Sequence, residues 1–164
     1  MSENEPEVTL RPETNADVPF LRSLYATTRV DVTFSGLPEE QKKHFIDMQF
    51  NAQRTCYYND YPNIDFSIIE VNRRPAGRLY LSRMPEEIRV MDISVLPAFR
   101  NKGIGSRLLR MVQDEARSRG LSVTLHAEKF GNMARFYERL GFEVTEEKQE
   151  HFFMKWTASS AIIT

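Results

Sequence analysis

Apolar and polar residues alternate from Val8 to Arg11, the period of a short strand, and Pro12 closes it. A helical period follows. Asp17 stands where a capping residue belongs, Pro19 falls in the first turn, and Phe20, Leu21, Leu24 and Tyr25 lie on one face. Asp31 to Leu37 (DVTFSGL) has turn chemistry and an exposed Phe34. Pro38 and two glutamates then open a second helix with Phe45, Met48 and Ala52 at helical spacing. The period returns to two over Ile64 to Val71, Ala76 to Leu81 and Ile88 to Val95. Asn72-Arg73-Arg74-Pro75 is a hairpin-sized link between the first two of these.

After that meander, Ile104, Leu108, Leu109, Val112 and Ala116 form a helical stripe running to about Arg119, with Gly120 as the stop signal. Leu121, Val123 and Leu125 alternate as a strand, and Asn132 to Leu140 reads as a short helix ended by Gly141. Phe142 to Val144 and His151 to Trp156 complete the strands. The strand–helix–strand unit over residues 88–127 requires a parallel pair with a right-handed crossover. The expectation is a mixed α/β fold of about seven strands and four helices. It is a single domain over residues 1–156, with a flexible tail over 157–164.

Composition narrows the function. With 22 Lys and Arg against 23 Asp and Glu, the formal net charge is -1, which gives no global cation for a nucleic acid. A lone cysteine, Cys56, excludes an internal disulfide and a cysteine metal cluster, so no metal is expected. Its neighbours supply no base, leaving a packing role or an unactivated nucleophile. No apolar run approaches the ~18 residues that cross a bilayer, and the polar start lacks a signal core. A cytoplasmic protein without a membrane partner is the expected class.

The most chemical stretch is Arg100-Asn101-Lys102-Gly103-Ile104-Gly105-Ser106, between a strand and a helix. Helix starts expose unpaired amides and a partial positive charge, and glycines let an anion approach the backbone. Arg100, Lys102, Arg107, Arg110, Arg117 and Arg119 face only Asp114 and Glu115, a local excess of four positive charges on a chain of net -1. A triphosphate loop needs a lysine before the hydroxyl residue, and Gly105 precedes Ser106 instead. A dinucleotide fingerprint needs glycine or alanine where Leu108 stands. A glycine-softened helix entry without a ligand stays open on this motif alone.

A second segment follows, Asn132-Met133-Ala134-Arg135-Phe136-Tyr137-Glu138-Arg139-Leu140-Gly141-Phe142. Together the two stretches resemble the GCN5-related N-acetyltransferase family. Arg100, Gly103 and Gly105 match its glycine motif, and Asn132, Ala134, Tyr137, Gly141 and Phe142 match its later segment. The close resemblance covers residues 86–144, whereas residues 1–60 resemble the family only in layout. It implies acetyl transfer from acetyl-CoA to a primary amine of a small molecule or peptide, by direct attack in a ternary complex. The alternative is a catalytically silent coenzyme-binding module.

By that resemblance, Arg100, Asn101, Lys102, Gly103, Ile104, Gly105 and Ser106 hold the pyrophosphate. Backbone at Ile93, Ser94 and Val95 pairs with the pantetheine arm where two strands splay. Asn132 bonds the same arm or simply caps its helix. Tyr137 is the matching donor to the departing thiolate, or else a core aromatic. A free phenol, with pKa near 10 against a thiol near 8.5, makes full proton transfer uphill by about 2 kcal/mol, so a hydrogen bond is the expected contribution. Some members carry a glutamate base on the strand before the turn, but Arg89 and Met91 stand there in this chain. Asp92 is the nearest acid, either catalytic or paired with an arginine. Glu70 and His126 are weaker candidates, and His44 reads as surface. Acceptor specificity falls to residues 29–37 and to Glu146-Glu147-Lys148-Gln149-Glu150, whose charge favours a cationic amine. Dimers are frequent in the family, so a homodimer is an expected state that no residue here establishes.

Overall fold

The computed structural model of the protein describes residues 5–61 and 63–158. Its strands are β1 (Val8–Pro12), β2 (Ile64–Val71), β3 (Arg74–Arg83), β4 (Glu87–Val95), β5 (Ser122–Glu128), β6 (Glu143–Glu147) and β7 (His151–Trp156). The helices are α1 (Val18–Thr28), α2 (Val30–Thr33), α3 (Glu39–Asp60), α4 (Ile104–Arg119) and α5 (Met133–Arg139). Seven strands form one sheet in the order β1-β2-β3-β4-β5-β7-β6. The expected parallel step is the β4–β5 pair, linked through α4, while β1–β2, β5–β7 and β6–β7 are antiparallel. The fold is thus mixed α/β, with one helix more than expected. That helix, α2, is a single turn without a period to betray it.

By packing, the chain divides into two compact units, Met1–Leu79 with Ile93–Lys102, and Tyr80–Asp92 with Gly103–Thr164. In the first, Leu21, Tyr25, Val32, Ile46, Phe50 and Ile68 form a buried cluster. The stripe expected on α3 is displaced: Ile46 and Phe50 are buried, Phe45 is partly buried, and Met48 and Ala52 face solvent. Two overlapping helical stripes exist in that sequence, and packing against α1 selects the one burying more bulk. Asp17 does occupy the cap position of α1, but its carboxylate makes no bond to that helix. It receives the Arg11 guanidinium at 2.8 and 2.9 Å and the Thr14 amide at 2.8 Å. Those bonds, the arginine's first, hold its pKa at about 2.

The β2–β3 turn is tighter than expected. Asn72 and Arg73, with φ of 50° and 68°, make a two-residue turn whose positive φ values match strand twist, and Arg74 and Pro75 already belong to β3. On β3, Gly77 allows close backbone approach. A Cβ there would lie 2.1 Å from the Ser94 carbonyl oxygen.

In the second unit α4 buries Ile104, Leu108, Leu109, Val112 and Ala116, the stripe read from the sequence, and Gly120 ends it at φ 69°. Leu121 belongs to that ending, its amide donating to Ala116, so β5 begins at Ser122. The Arg117 guanidinium lies 5.3 Å from the Trp156 ring centroid, and Trp156 pairs with Val123. This places α4 on the face carrying Val123, Leu125 and Ala127. β6 starts one residue later than expected because Phe142 turns inward, its ring 5.8 Å from that of Tyr137. As the sheet's edge strand, β6 is exposed throughout and irregular between Val144 and Glu146. Of the expected tail, only Thr157 and Ala158 are described; residues 159–164 lie outside the described residues.

Candidate active site

β4 ends at Val95, and a single 3-10 turn, Pro97–Phe99, leads to the glycine motif. Asn101 and Gly103 both adopt the left-handed region, φ 60° and 77°, which turns the chain sharply into α4. A Cβ at Gly103 would meet no atom within 4 Å, so the conformation selects glycine there, and crowding does not. No side chain caps α4, and its first amides, including Ile104, Gly105 and Ser106, lie beyond the reach of intrahelical acceptors. Gly105 faces α5: a Cβ would touch Phe136 at an ordinary 3.5 Å. Of the six basic residues, Arg117 and Arg119 bond Asp114 and Glu115 at the helix's far end, so the excess charge is concentrated near its start. This fits a diphosphate, which needs open amides and local cations.

β4 changes character along its length. Its ladder with β5 runs from Glu87↔Ser122 to Val90↔Leu125, yet β4 continues to Val95 and β5 to Glu128. Met91 to Val95 are all half-buried, where the first part alternated with buried Ile88 and Val90. Ile93, Ser94 and Val95 fall in this unladdered part. The Ser94 hydroxyl is buried there without a hydrogen-bond partner. Arg100 folds back, its Nε donating to the Val95 carbonyl at 3.1 Å and its Nη2 to the Thr27 hydroxyl at 3.3 Å. A strand-like ligand taking that carbonyl has to displace this guanidinium, which then becomes available to an anion.

On α5, Asn132 sits at the cap position, but its side chain makes no capping bond. Tyr137 is 6% exposed, packed between Phe136 and Phe142. Among the described residues its hydroxyl has no hydrogen-bond partner. Burial first, and the charge of Asp92 second, push this phenol well above its ordinary pKa. The group is therefore a firmly protonated donor. Asp92 alternates with Ile88 and Val90 on β4, the face away from Arg89 and Met91.

The other sequence candidates separate. Glu70 accepts the Arg11 Nε at 2.8 Å and is a structural ion partner. His44 is exposed on α3. Cys56 is exposed, which corrects the packing role, and its thiol donates to Asp60 at 3.2 Å. That bond raises its pKa, the opposite of activation. Glu147 pairs with Lys129 at 2.7 Å, so the acidic run is partly neutralised. In residues 29–37, Arg29 bonds Asp31, Tyr25 and Gln49, while Phe34 is 82% exposed. A cleft of about 350 Å³ borders this stretch at Thr33, with Arg22, Ala26, Lys42, Ile46 and Asp47 among its walls.

Sequence reasoning gave little weight to one cluster. Arg89 lies over the Phe153 ring at 5.2 Å and donates to Thr124 at 3.2 Å, and His126 packs against the same ring at 4.9 Å. Its members come from three strands, so no local signal joins them. Gly77 was also missed, although a lone glycine in a strand pattern marks close backbone approach.

The solved structures similar to this chain share its architecture at low identity. PaiA N-acetyltransferase from Thermoplasma acidophilum, in complex with coenzyme A, is 16% identical over 92% of this chain and 99% of its own, with a TM-score of 0.70. Ard1 from Thermoplasma volcanium is 18% identical over 92% and 97%, at 0.64. Arabidopsis thaliana Naa50, in complex with the bisubstrate analogue CoA-Ac-MVNAL, is 19% identical over 92% and 98%, at 0.60. No curated protein sequence matches. The sequence pattern of the acetyltransferase (GNAT) family matches residues 23–142, most of the chain, and with the glycine turn and the parallel β4–β5 step it shows that the protein belongs to that family.

Proposed function

We propose that the protein transfers the acetyl group of acetyl-CoA to a primary amine by direct attack within a ternary complex. The observation that carries this reading is the end of the β4–β5 ladder at Val90, five residues before β4 itself ends, in a strand that the 3-10 and glycine turns then join to an uncapped, cation-rich helix start. In this reading Arg100 and the amides of Asn101, Lys102, Gly103, Ile104, Gly105 and Ser106 hold the pyrophosphate. Ile93, Ser94 and Val95 hold the pantetheine arm as an added strand, and the orphaned Ser94 hydroxyl gains a partner from it. Asn132 bonds the arm from α5.

Acetyl-CoA would supply an activated thioester; the chain's residues orient it and manage charge. Tyr137 donates a hydrogen bond to the departing sulfur. Its raised pKa makes a complete proton handover more uphill than for a free phenol, so stabilisation of the thiolate is its contribution. Asp92 acts beside it, its charge helping to keep the phenol protonated. Backbone amides of β4 beyond Val90 stabilise the tetrahedral oxyanion. The acceptor is a small molecule or peptide with an amine, and the proposed setting is cytoplasmic, a reading that the lone cysteine supports.

Calorimetry with CoA, followed by thiol release from acetyl-CoA, tests the proposal. The acceptors are spermidine, kanamycin, lysine amide and the peptide Met-Val-Asn-Ala-Leu. Micromolar binding and acceptor-dependent release are expected. Binding without release on any acceptor leaves a coenzyme-binding module, and absence of binding removes the reading altogether.

A further inference from the structure

The turn that follows β4 folds one cation back onto the strand's own backbone. In the 3-10 turn Pro97–Phe99 the Phe99 amide donates to the Leu96 carbonyl at 2.9 Å and the Arg100 amide to that of Pro97 at 3.2 Å. The chain thereby reverses, and the Arg100 Nε reaches the Val95 carbonyl at 3.1 Å. That carbonyl belongs to the trans peptide whose N–H, on Leu96, donates to Ala76 on β3 at 2.8 Å. In a trans peptide the two groups point in opposite directions, so the Val95 oxygen points away from β3. It lies on the edge of the strand where a ligand would add as a further strand.

A second hold on the guanidinium comes from α1. The Thr27 hydroxyl spends its proton on the Leu24 carbonyl at 2.7 Å, which leaves its oxygen to accept the Arg100 Nη2 at 3.3 Å. All of these groups lie within the first unit. Both partners of the guanidinium, a carbonyl and a hydroxyl, are neutral. A guanidinium bonds a phosphate more strongly than it bonds neutral oxygens, through two parallel N–H groups and full opposite charge. The contact therefore occupies the carbonyl in the free protein and yields it when an anion is offered.

We propose that Arg100 selects acyl donors by what accompanies the pantetheine arm, admitting diphosphate-bearing thioesters and holding off those without phosphate. The inference rests on the coenzyme reading of Val95 and Arg100. An arm that pairs with the Val95 carbonyl has to displace the guanidinium first. A donor with a diphosphate gives the displaced cation a stronger partner, so the exchange is favourable. An arm without one leaves the cation to water, and the broken bonds go uncompensated. Thr27 raises that barrier by tying the guanidinium to α1. One residue thus competes with the bare arm and attracts the whole coenzyme.

This behaviour separates Arg100 from a cation that only draws in an anion. Lys102, two residues on, is exposed, and among the described residues its ammonium makes no hydrogen bond to β4. It serves as the control.

The test pairs CoA calorimetry with an NMR titration of S-methylpantetheine, a neutral arm without phosphate, on the wild type and three variants. Arg100→Ala should weaken CoA by about tenfold or more and tighten S-methylpantetheine by roughly twofold to tenfold. Thr27→Val keeps the cation but removes its anchor, and should tighten both ligands by about twofold. Lys102→Ala should weaken CoA and leave S-methylpantetheine unchanged. The opposite signs for the two ligands in Arg100→Ala are the signature, since a plain anion-binding arginine would leave the neutral arm unaffected. Three results overturn the assignment while leaving coenzyme binding standing. They are an Arg100→Ala variant that does not gain affinity for S-methylpantetheine, a Lys102→Ala variant that gains as much, and a Thr27→Val variant that tightens neither ligand. A wild type that fails to bind CoA overturns both readings.

Discussion

The two halves of β4 obey different rules. From Glu87 to Val90 the strand is laddered to β5 and buries alternate residues, Ile88 and Val90, as a packed parallel strand must. From Met91 to Val95 the ladder to β5 stops, every residue is half-buried, and a hydroxyl lies buried without a partner. A fold that satisfied all its own polar groups would have nothing left to offer a strand-like ligand. The unladdered half keeps hydrogen-bonding capacity that the laddered half has already used.

The sharpest way to break that contrast is Gly77→Val. Its Cβ would fall 2.1 Å from the Ser94 carbonyl oxygen, so β3 or β4 must move. A loss of about 3 kcal/mol or more in urea unfolding is expected, with CoA affinity falling alongside. Next comes Tyr137→Phe, which should lower turnover by roughly tenfold to a hundredfold and leave CoA affinity within twofold; unchanged turnover removes the phenol from the chemistry.

Truncations separate the halves directly. Val90→Ala should cost about 2 kcal/mol of stability and leave the KM for acetyl-CoA alone. Val95→Ala should cost less than about 1 kcal/mol yet raise that KM; equal behaviour of the two erases the comparison. The smallest effect is expected of Ser94→Ala. Removing an unpartnered buried hydroxyl should leave stability unchanged or improve it by up to about 1 kcal/mol, while acetyl-CoA binding weakens. A clear destabilisation would mean that the hydroxyl is already satisfied.

Much of this was legible in the sequence where interactions are local. The α4 stripe repeats every three or four residues, and its limits, Gly103 and Gly120, are positions whose positive φ a side chain resists. The β2 limits, Ile64 and Val71, followed from alternation alone. Long-range choices were not legible. Nothing near Val90 announces that its ladder ends there, because that depends on the register with Leu125. The α3 stripe was misjudged because Phe45–Met48–Ala52 and Ile46–Phe50 are both helical series, and only the partner helix distinguishes them. Likewise Arg89, His126 and Phe153 meet from three strands spread over more than sixty residues of sequence. For the glycine turn the motif named the residues, but the folding back of Arg100 onto Val95 depends on the turn's path in space, which no local pattern encodes.

The exposed Cys56 bears on how any of this is measured. It is the chain's single cysteine, it stands on the outer surface of α3, and its bond to Asp60 slows but does not prevent reaction. Any colorimetric reagent that detects liberated coenzyme by its sulfhydryl will also consume one equivalent from each enzyme molecule, faster at alkaline pH than at neutral. Replacing it by serine removes that offset. Leaving it in place provides a ready-made attachment point for a single fluorophore or spin label.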